Sequence, residues 1–288
     1  LPLWNSFSFF STYANADDIT FEDLEKASPV EDRPMMDRWI ISSMQSLIKT
    51  VNEKMENYYL YEVIPPLMNF VDELTNWYVR SNRKRFWKEK DENDIDKINA
   101  FKTLHEVLLE FSKSMAPVQP FICEKIYQGL IEENNESIHY CDYPEADENL
   151  IDKDLEDNIE LAKKVIKSVR NLRVKLKLPN KQPLNSVKII TKDKEIEEKL
   201  NVISDLIKNE VNVKEVLFDF DVDNWINYEF KPNFKVLGPK LGEQINVLSE
   251  YLKNIDENIS NDILQGNGVV IDDIKVSSGE IDIILNKK

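Results

Sequence analysis

Apolar residues recur at helical intervals from Met36 onward. Ile40, Met44, Leu47, Val51 and Met55 step by three and four, which predicts a helix with one buried face. Asp37 falls in its first turn, where a carboxylate suits the helix dipole. Val63, Leu67, Phe70, Leu74 and Trp77 predict a second helix, with Pro65 and Pro66 in the first turn, where a missing N–H costs little. A third follows the acidic Asp91–Asp96, with Phe101, Leu104, Leu108, Phe111 and Met115 on its stripe and Pro117 and Pro120 after it. A short fourth runs near Phe121 to Leu130. Leu161, Val165, Val169, Leu172 and Leu176 mark a further helix over 161–178, stopped by Pro179-Asn180. Short links between successive helices imply an antiparallel bundle over residues 35–184.

The ends of the chain follow a different grammar. Residues 1–34 mix aromatic, hydroxyl and acidic residues, with Ser28-Pro29 and Arg33-Pro34 as punctuation, and predict a connecting segment with short helical pieces. After Pro183, short runs such as Val187-Lys188-Ile189-Ile190 and the alternating Val211 to Phe220 read as strands. So do Gly268 to Ile271 and Ile281 to Leu285, while Lys194 to Lys208 and Gly238 to Asn254 read as helices. The expected fold is mainly α, a helical bundle followed by a small α+β domain over residues 185–288.

Composition narrows the chemistry. There are 6 Gly, 2 His and 2 Cys in 288 residues, so Gly-rich phosphate loops and His-built catalysis have little material. His105 and His139 lie far apart, and Cys123 and Cys141 form no C-x-x-C, so neither a metal site nor a disulfide framework is expected. No apolar run approaches the ~20 residues that span a bilayer. The chain reads as cytoplasmic, with no membrane partner.

The net charge is -16, which argues against general coating of nucleic acid and makes local reversals informative. Between Trp77 and Lys90 there are six basic residues and one acid, Glu89, interleaved with four aromatics. Guanidinium groups pair with phosphates, and rings or guanidinium planes stack on unpaired bases. A duplex hides its base faces, so the mix suits a single-stranded loop and not DNA. The competing reading is a solvated helix end with Trp77 and Phe86 in the core. A second basic stretch, Lys163, Lys164, Lys167, Arg170, Arg173, Lys175, Lys177 and Lys181, has no acid within it. It suits contacts to an RNA backbone, or neutralisation of the acidic run 142–160 that precedes it.

Trp77-Tyr78-Val79-Arg80 followed by Arg83-Lys84-Arg85-Phe86-Trp87 closely resembles the anticodon-binding helix of isoleucyl-tRNA synthetases. Leu1-Pro2-Leu3-Trp4-Asn5-Ser6 and Phe9-Phe10 look like variants of that family's exit from its catalytic domain. Asp37-Arg38-Trp39-Ile40 is similar to its first bundle helix, and Met115-Ala116-Pro117 with Pro120-Phe121 to a later turn. Lys231-Pro232-Asn233-Phe234-Lys235 and Leu237-Gly238-Pro239-Lys240 resemble the C-terminal region of one branch. The resemblance implies a segment that grips the anticodon loop of tRNA(Ile), attached to N-terminal catalytic and editing domains that use ATP and Mg²⁺. It carries over Trp77, Tyr78, Arg80, Arg83, Lys84, Arg85, Phe86 and Trp87 as tRNA-binding candidates. Lys167, Arg170 and Arg173 join them from the second basic stretch. Trp77 continues the apolar stripe and is the first of the set expected in the core.

The family's His-x-Gly-His motif cannot exist here, because the two histidines are 34 residues apart. Glu110-Phe111-Ser112-Lys113-Ser114 imitates its Lys-Met-Ser-Lys-Ser loop, but Phe111 lies on a buried helical stripe, where a mobile phosphate loop does not belong. Neither catalysis nor a cofactor is expected of this segment alone. The alternatives are a helical protein-interaction module, and the corresponding part of a valyl- or leucyl-type synthetase.

Overall fold

The computed structural model describes residues 2–89, 94–132, 136–242, 244–271 and 274–287. Leu1, Lys90 and the start of the acidic run at Asp91, which entered the sequence reading, lie outside them. The chain divides into two units. One comprises residues up to Leu178 together with Asp205–Val211, the other Pro179–Ser204 and Asn212 onward.

The first unit is helical. Its long helices are α1 (Pro2–Ala16), α3 (Met35–Glu56), α6 (Ile95–Met115) and α8 (Lys153–Lys175). Between them run the short α2 (Phe21–Glu25), α4 (Ile64–Glu73), α5 (Arg80–Trp87) and α7 (Pro120–Gln128). The stripes of α3 and α6 are buried as the spacing requires: Ile40, Val51, Phe101, Leu104, Leu108 and Phe111 are all at 0% exposure. Phe111 stacks on Phe70 at 5.4 Å, so the Glu110–Ser114 stretch is packed helix and not a loop.

Three elements depart from the expectation. Residues 1–34 contain a full helix, α1. Leu3, Phe7, Phe10 and Ala14 are spaced 4, 3 and 4 and are buried, and Phe10 meets Phe101 at 6.0 Å. A Cβ on Gly129 would come 2.5 Å from the Phe7 ring, so α1 is packed into this unit. The intervening serines at positions 6, 8 and 11 had obscured that stripe.

Second, α8 buries Leu155, Ile159, Ala162, Ile166, Val169 and Arg173, not the row of Leu161, Leu172 and Leu176. Leu172 and Leu176 are exposed. The buried row begins six residues earlier than 161, inside the acidic run, where charges hid it from a window starting at Leu161.

Third, α4 and α5 are joined by a π-helical segment, Leu74–Val79. Its i→i+5 bonding encloses one more residue in each hydrogen-bonded loop than an α-helix does. After Leu74 the inward positions therefore become Tyr78, Asn82 and Phe86, at steps of four. Tyr78 takes the place that α-helical spacing assigns to Trp77.

The second unit is α+β. β1 (Leu184–Ile190) and β2 (Val213–Asp219) pair in parallel, with Val187 opposite Val216. Parallel neighbours need a crossover, which carries α9 (Lys194–Val202) and then α10 (Ser204–Val211), whose residues from Asp205 on belong to the first unit. β3 (Ile226–Pro232) pairs antiparallel with the last strand, β6 (Ile281–Lys287). A short hairpin joins β4 (Val269–Ile271) to β5 (Ile274–Val276). The helices α11 (Phe234–Leu241), α12 (Gln244–Lys253) and α13 (Glu257–Leu264) complete the unit. Phe230, Leu237, Leu248, Leu252, Ile263 and Val276 form its core. In the Lys231–Lys235 motif, Asn233 ends β3 and caps α11, its side chain accepting from the Lys235 and Val236 amides at 3.1 and 3.4 Å.

Candidate nucleic-acid interface

The segment Trp77–Trp87 presents two chemically different faces. The inward face is built on Asp37, at 0% exposure on the first turn of α3. Arg85 donates to both its carboxylate oxygens, at 2.7 and 2.8 Å. The Tyr78 hydroxyl donates to the same carboxylate at 2.8 Å. Arg85 also reaches Asp96 (2.8 Å), the Asp96 carbonyl (2.9 Å) and Asn82 Oδ1 (3.0 Å). Burial works against the Arg85 cation, yet the hydrogen bonds and charge of Asp37 raise its pKa above the usual value. Burial, reinforced by the Asp37 charge, pushes Tyr78 well above the usual tyrosine range. Phe86 fills the space behind, edge-on to Phe9 at 5.2 Å and Phe101 at 5.0 Å. Tyr78, Arg85 and Phe86 were candidates for touching RNA. They instead fasten this segment to α1, α3 and α6.

The outward face carries Trp77, Arg80, Arg83, Lys84 and Trp87. Trp77 is half-buried and lines a groove of about 730 Å3 with three acids, Asp72, Glu73 and Glu160, and four cations, Lys163, Lys164, Lys167 and Arg170. The expectation that Trp77 belongs to the core is overturned by the π-helical turn described above. The groove brings Trp77, from the first stretch, against Lys163, Lys164, Lys167 and Arg170 of the second, more than seventy residues away in sequence. Lys163 Nζ lies 5.8 Å from the Trp77 ring centroid and the Arg170 guanidinium 5.9 Å from it.

Lys163 itself is buried, held by Glu73 at 2.5 Å and lying 4.5 Å over the Trp39 ring. Lys164 and Lys167 are exposed, with no side-chain partner among the described residues. Arg173 is at 3% exposure and donates to the Val211 carbonyl at 2.7 Å. This candidate is a structural tie, since α8 is phased to bury it. The acidic run does not neutralise the basic stretch as a block. Glu148 pairs with Lys49 and Glu156 with Lys153 and Ser46, while Glu160 reaches Lys163 at 3.6 Å.

Arg83 lines a separate groove of about 390 Å3 with Asn5, Phe9, Thr75 and Asn76. Arg83 and Lys84 are exposed and their side chains have no partner among the described residues. Trp87 is 53% exposed, its ring 6.4 Å from Tyr13. Arg80 pairs with Glu210 at 3.3 Å.

Sequence reasoning did not single out Glu210 or Glu73, and saw Asp37 only as a carboxylate suited to a helix start. Nothing local distinguishes Glu210, which sits between Asn209 and Val211 at the end of α10. Among the described residues no group of three or more His, Cys, Asp or Glu could hold a metal ion. No helix there is long and apolar enough to cross a membrane.

Residues 37–190 match the family described as the anticodon-binding domain of tRNA ligase. The chain belongs to that family. The anticodon-binding domain so defined contains both basic stretches up to Lys181 and the whole Trp77 groove. Similar proteins include the isoleucine–tRNA ligase of Clostridium novyi (strain NT), 40% identical over 274 residues, 93% of this chain and 25% of the relative. That of Clostridium kluyveri is 38% identical over 285 residues, covering 98% and 26%. That of Treponema denticola is 36% identical over 301 residues, covering 100% and 27%. The chain thus spans about a quarter of the length of the relatives it matches.

Proposed function

We propose that this chain is the anticodon-gripping part of a cytoplasmic isoleucine–tRNA ligase and that its RNA partner is tRNA(Ile). In this reading, joining isoleucine to tRNA with ATP and Mg²⁺ belongs to the length of the ligase that the chain does not span. The chain contributes binding energy at a distance, which favours the correct complex and helps orient the acceptor end.

The observation that carries the reading is the groove in which Trp77 meets four cations of the second basic stretch, Lys163, Lys164, Lys167 and Arg170. The groove offers an aromatic face for an unpaired base, with Arg170 alongside and Lys164 and Lys167 open to phosphates. The -16 charge of the chain restricts an RNA to such surfaces. The names of the relatives supply the identity of the amino acid.

The test is filter binding of tRNA(Ile) and of the same tRNA with an exchanged anticodon, across a salt series. Tighter binding to the unaltered tRNA is expected. Four open cations, Arg83, Lys84, Lys164 and Lys167, would give a log–log salt slope of about -3. Equal affinity for both tRNAs, or none for either, would sink the proposal and favour a protein partner.

A further inference from the structure

Glu210 stands inside the basic surface. Its carboxylate accepts from Arg80 Nη2 at 3.3 Å, from Ser81 Oγ at 2.8 Å and from Arg170 Nη2. The same Arg170 nitrogen reaches the Glu210 carbonyl at 3.3 Å. Arg80 comes from the first basic stretch and Arg170 from the second. We infer that Glu210 is a positioning residue, which holds Arg170 in a fixed orientation beside Trp77, with Arg80 tied to the same carboxylate, so that Arg170 reads an unpaired base and does not merely attract phosphate. The inference rests on the proposed tRNA-binding role and deepens it.

Three features support it. The Glu210 side chain is only 11% exposed and has three donors, so an incoming phosphate would have to displace a largely buried, satisfied carboxylate. Without that carboxylate, the two guanidinium cations that share it would repel each other and scatter over many rotamers. A guanidinium has five N–H donors in a fixed plane. Each arginine gives Glu210 only its Nη2, which leaves Nε and Nη1 without a partner among the described residues. The planar donors of Arg170, held 5.9 Å from the Trp77 ring, suit a base edge. Phosphate attraction is already supplied by Lys164 and Lys167.

Glu210→Gln keeps the shape and removes the charge. In the 288-residue chain, the ratio of affinities for tRNA(Ile) over the anticodon-exchanged tRNA should fall about tenfold. Affinity for the exchanged tRNA should hold or rise, because a negative charge has left the surface. A general loss of fold would lower both affinities together and leave their ratio unmoved. A rise of both by the same factor would make Glu210 a displaceable stand-in for phosphate and overturn the inference. So would an unchanged ratio in a Glu210→Gln chain whose circular dichroism matches that of wild type. Ser81→Ala removes one donor and spares both arginines, and should lower the same ratio about threefold. If Glu210→Gln does not fold, that variant decides. A wild-type chain with no preference between the two tRNAs would fail the functional proposal itself, which is a different result from a preference that survives Glu210→Gln.

Discussion

Arg83 and Arg85 are two positions apart on one short helix and do opposite things. Arg85 is 15% exposed, clamped on a carboxylate at 0% exposure. Arg83 opens on a groove with no partner for its guanidinium among the described residues. The same residue type thus serves to seal the interior and to face an open groove. What separates them is not local chemistry but which side of the helix meets Asp37. A motif of basic and aromatic residues is therefore two half-motifs, one holding the segment in place and one displayed by it.

That contrast is open to direct test. The largest effect should come from Arg85→Ala. It leaves the buried Asp37 carboxylate with the Tyr78 hydroxyl as its remaining donor, and breaking a buried pair from one side costs ~3–5 kcal/mol. Urea unfolding monitored by circular dichroism measures it, and a midpoint near that of wild type would erase the distinction between the faces. Next is Trp77→Ala. Loss of the stacking surface should weaken tRNA binding by ~1–3 kcal/mol, while stability changes much less because the ring is half-buried. A protein that unfolds but still binds when folded would return Trp77 to the core.

Tyr78→Phe should cost ~1 kcal/mol of stability by removing one donor from Asp37, with no direct effect on RNA contacts. The mirror experiment, Arg83→Ala, should leave stability within ~0.5 kcal/mol and reduce both tRNA affinity and its salt slope. Parallel changes in stability and binding for this pair would mean that the two faces are not separable.

The smallest effect asks how dry the interior side is. His105 Nε2 lies 2.8 Å from the Leu130 carbonyl, its Nδ1 is buried without a partner, and burial lowers its pKa below 6.5. The unfolded chain takes up the proton first, so the stability from neutral His105 is full above 6.5 and is lost as pH falls below it toward the folded value. Wild type should show this acid-side decline and His105→Gln should not. Identical pH profiles would mean that the imidazole is solvated.

Much of the bundle was legible in the chain because α3 and α6 carry uninterrupted apolar rows, and one buried face of a long helix admits one phase. The Trp-Tyr-x-Arg segment was legible as a site because its charge opposes that of the whole molecule. The pattern failed at Trp77, where a single turn of different pitch follows a regular helix. It failed again in α8, where an acidic run conceals the first turns of the buried row. Asp37 was visible as a residue, but the two side chains that donate to it lie 41 and 48 positions away in sequence.

The amino-acid sequence by itself determined the helical class, the α+β tail and the family, and it pointed to a basic, aromatic segment as the candidate site, since these depend on local spacing and on charge counted along the chain. Only the tertiary structure decided which member of each neighbouring pair, Trp77 or Tyr78, Arg83 or Arg85, faces outward, and that Glu210 stands between the two basic stretches. One extra residue in a helical turn rotates everything after it, and a carboxylate chooses its arginine by position in space, which no interval along the chain records.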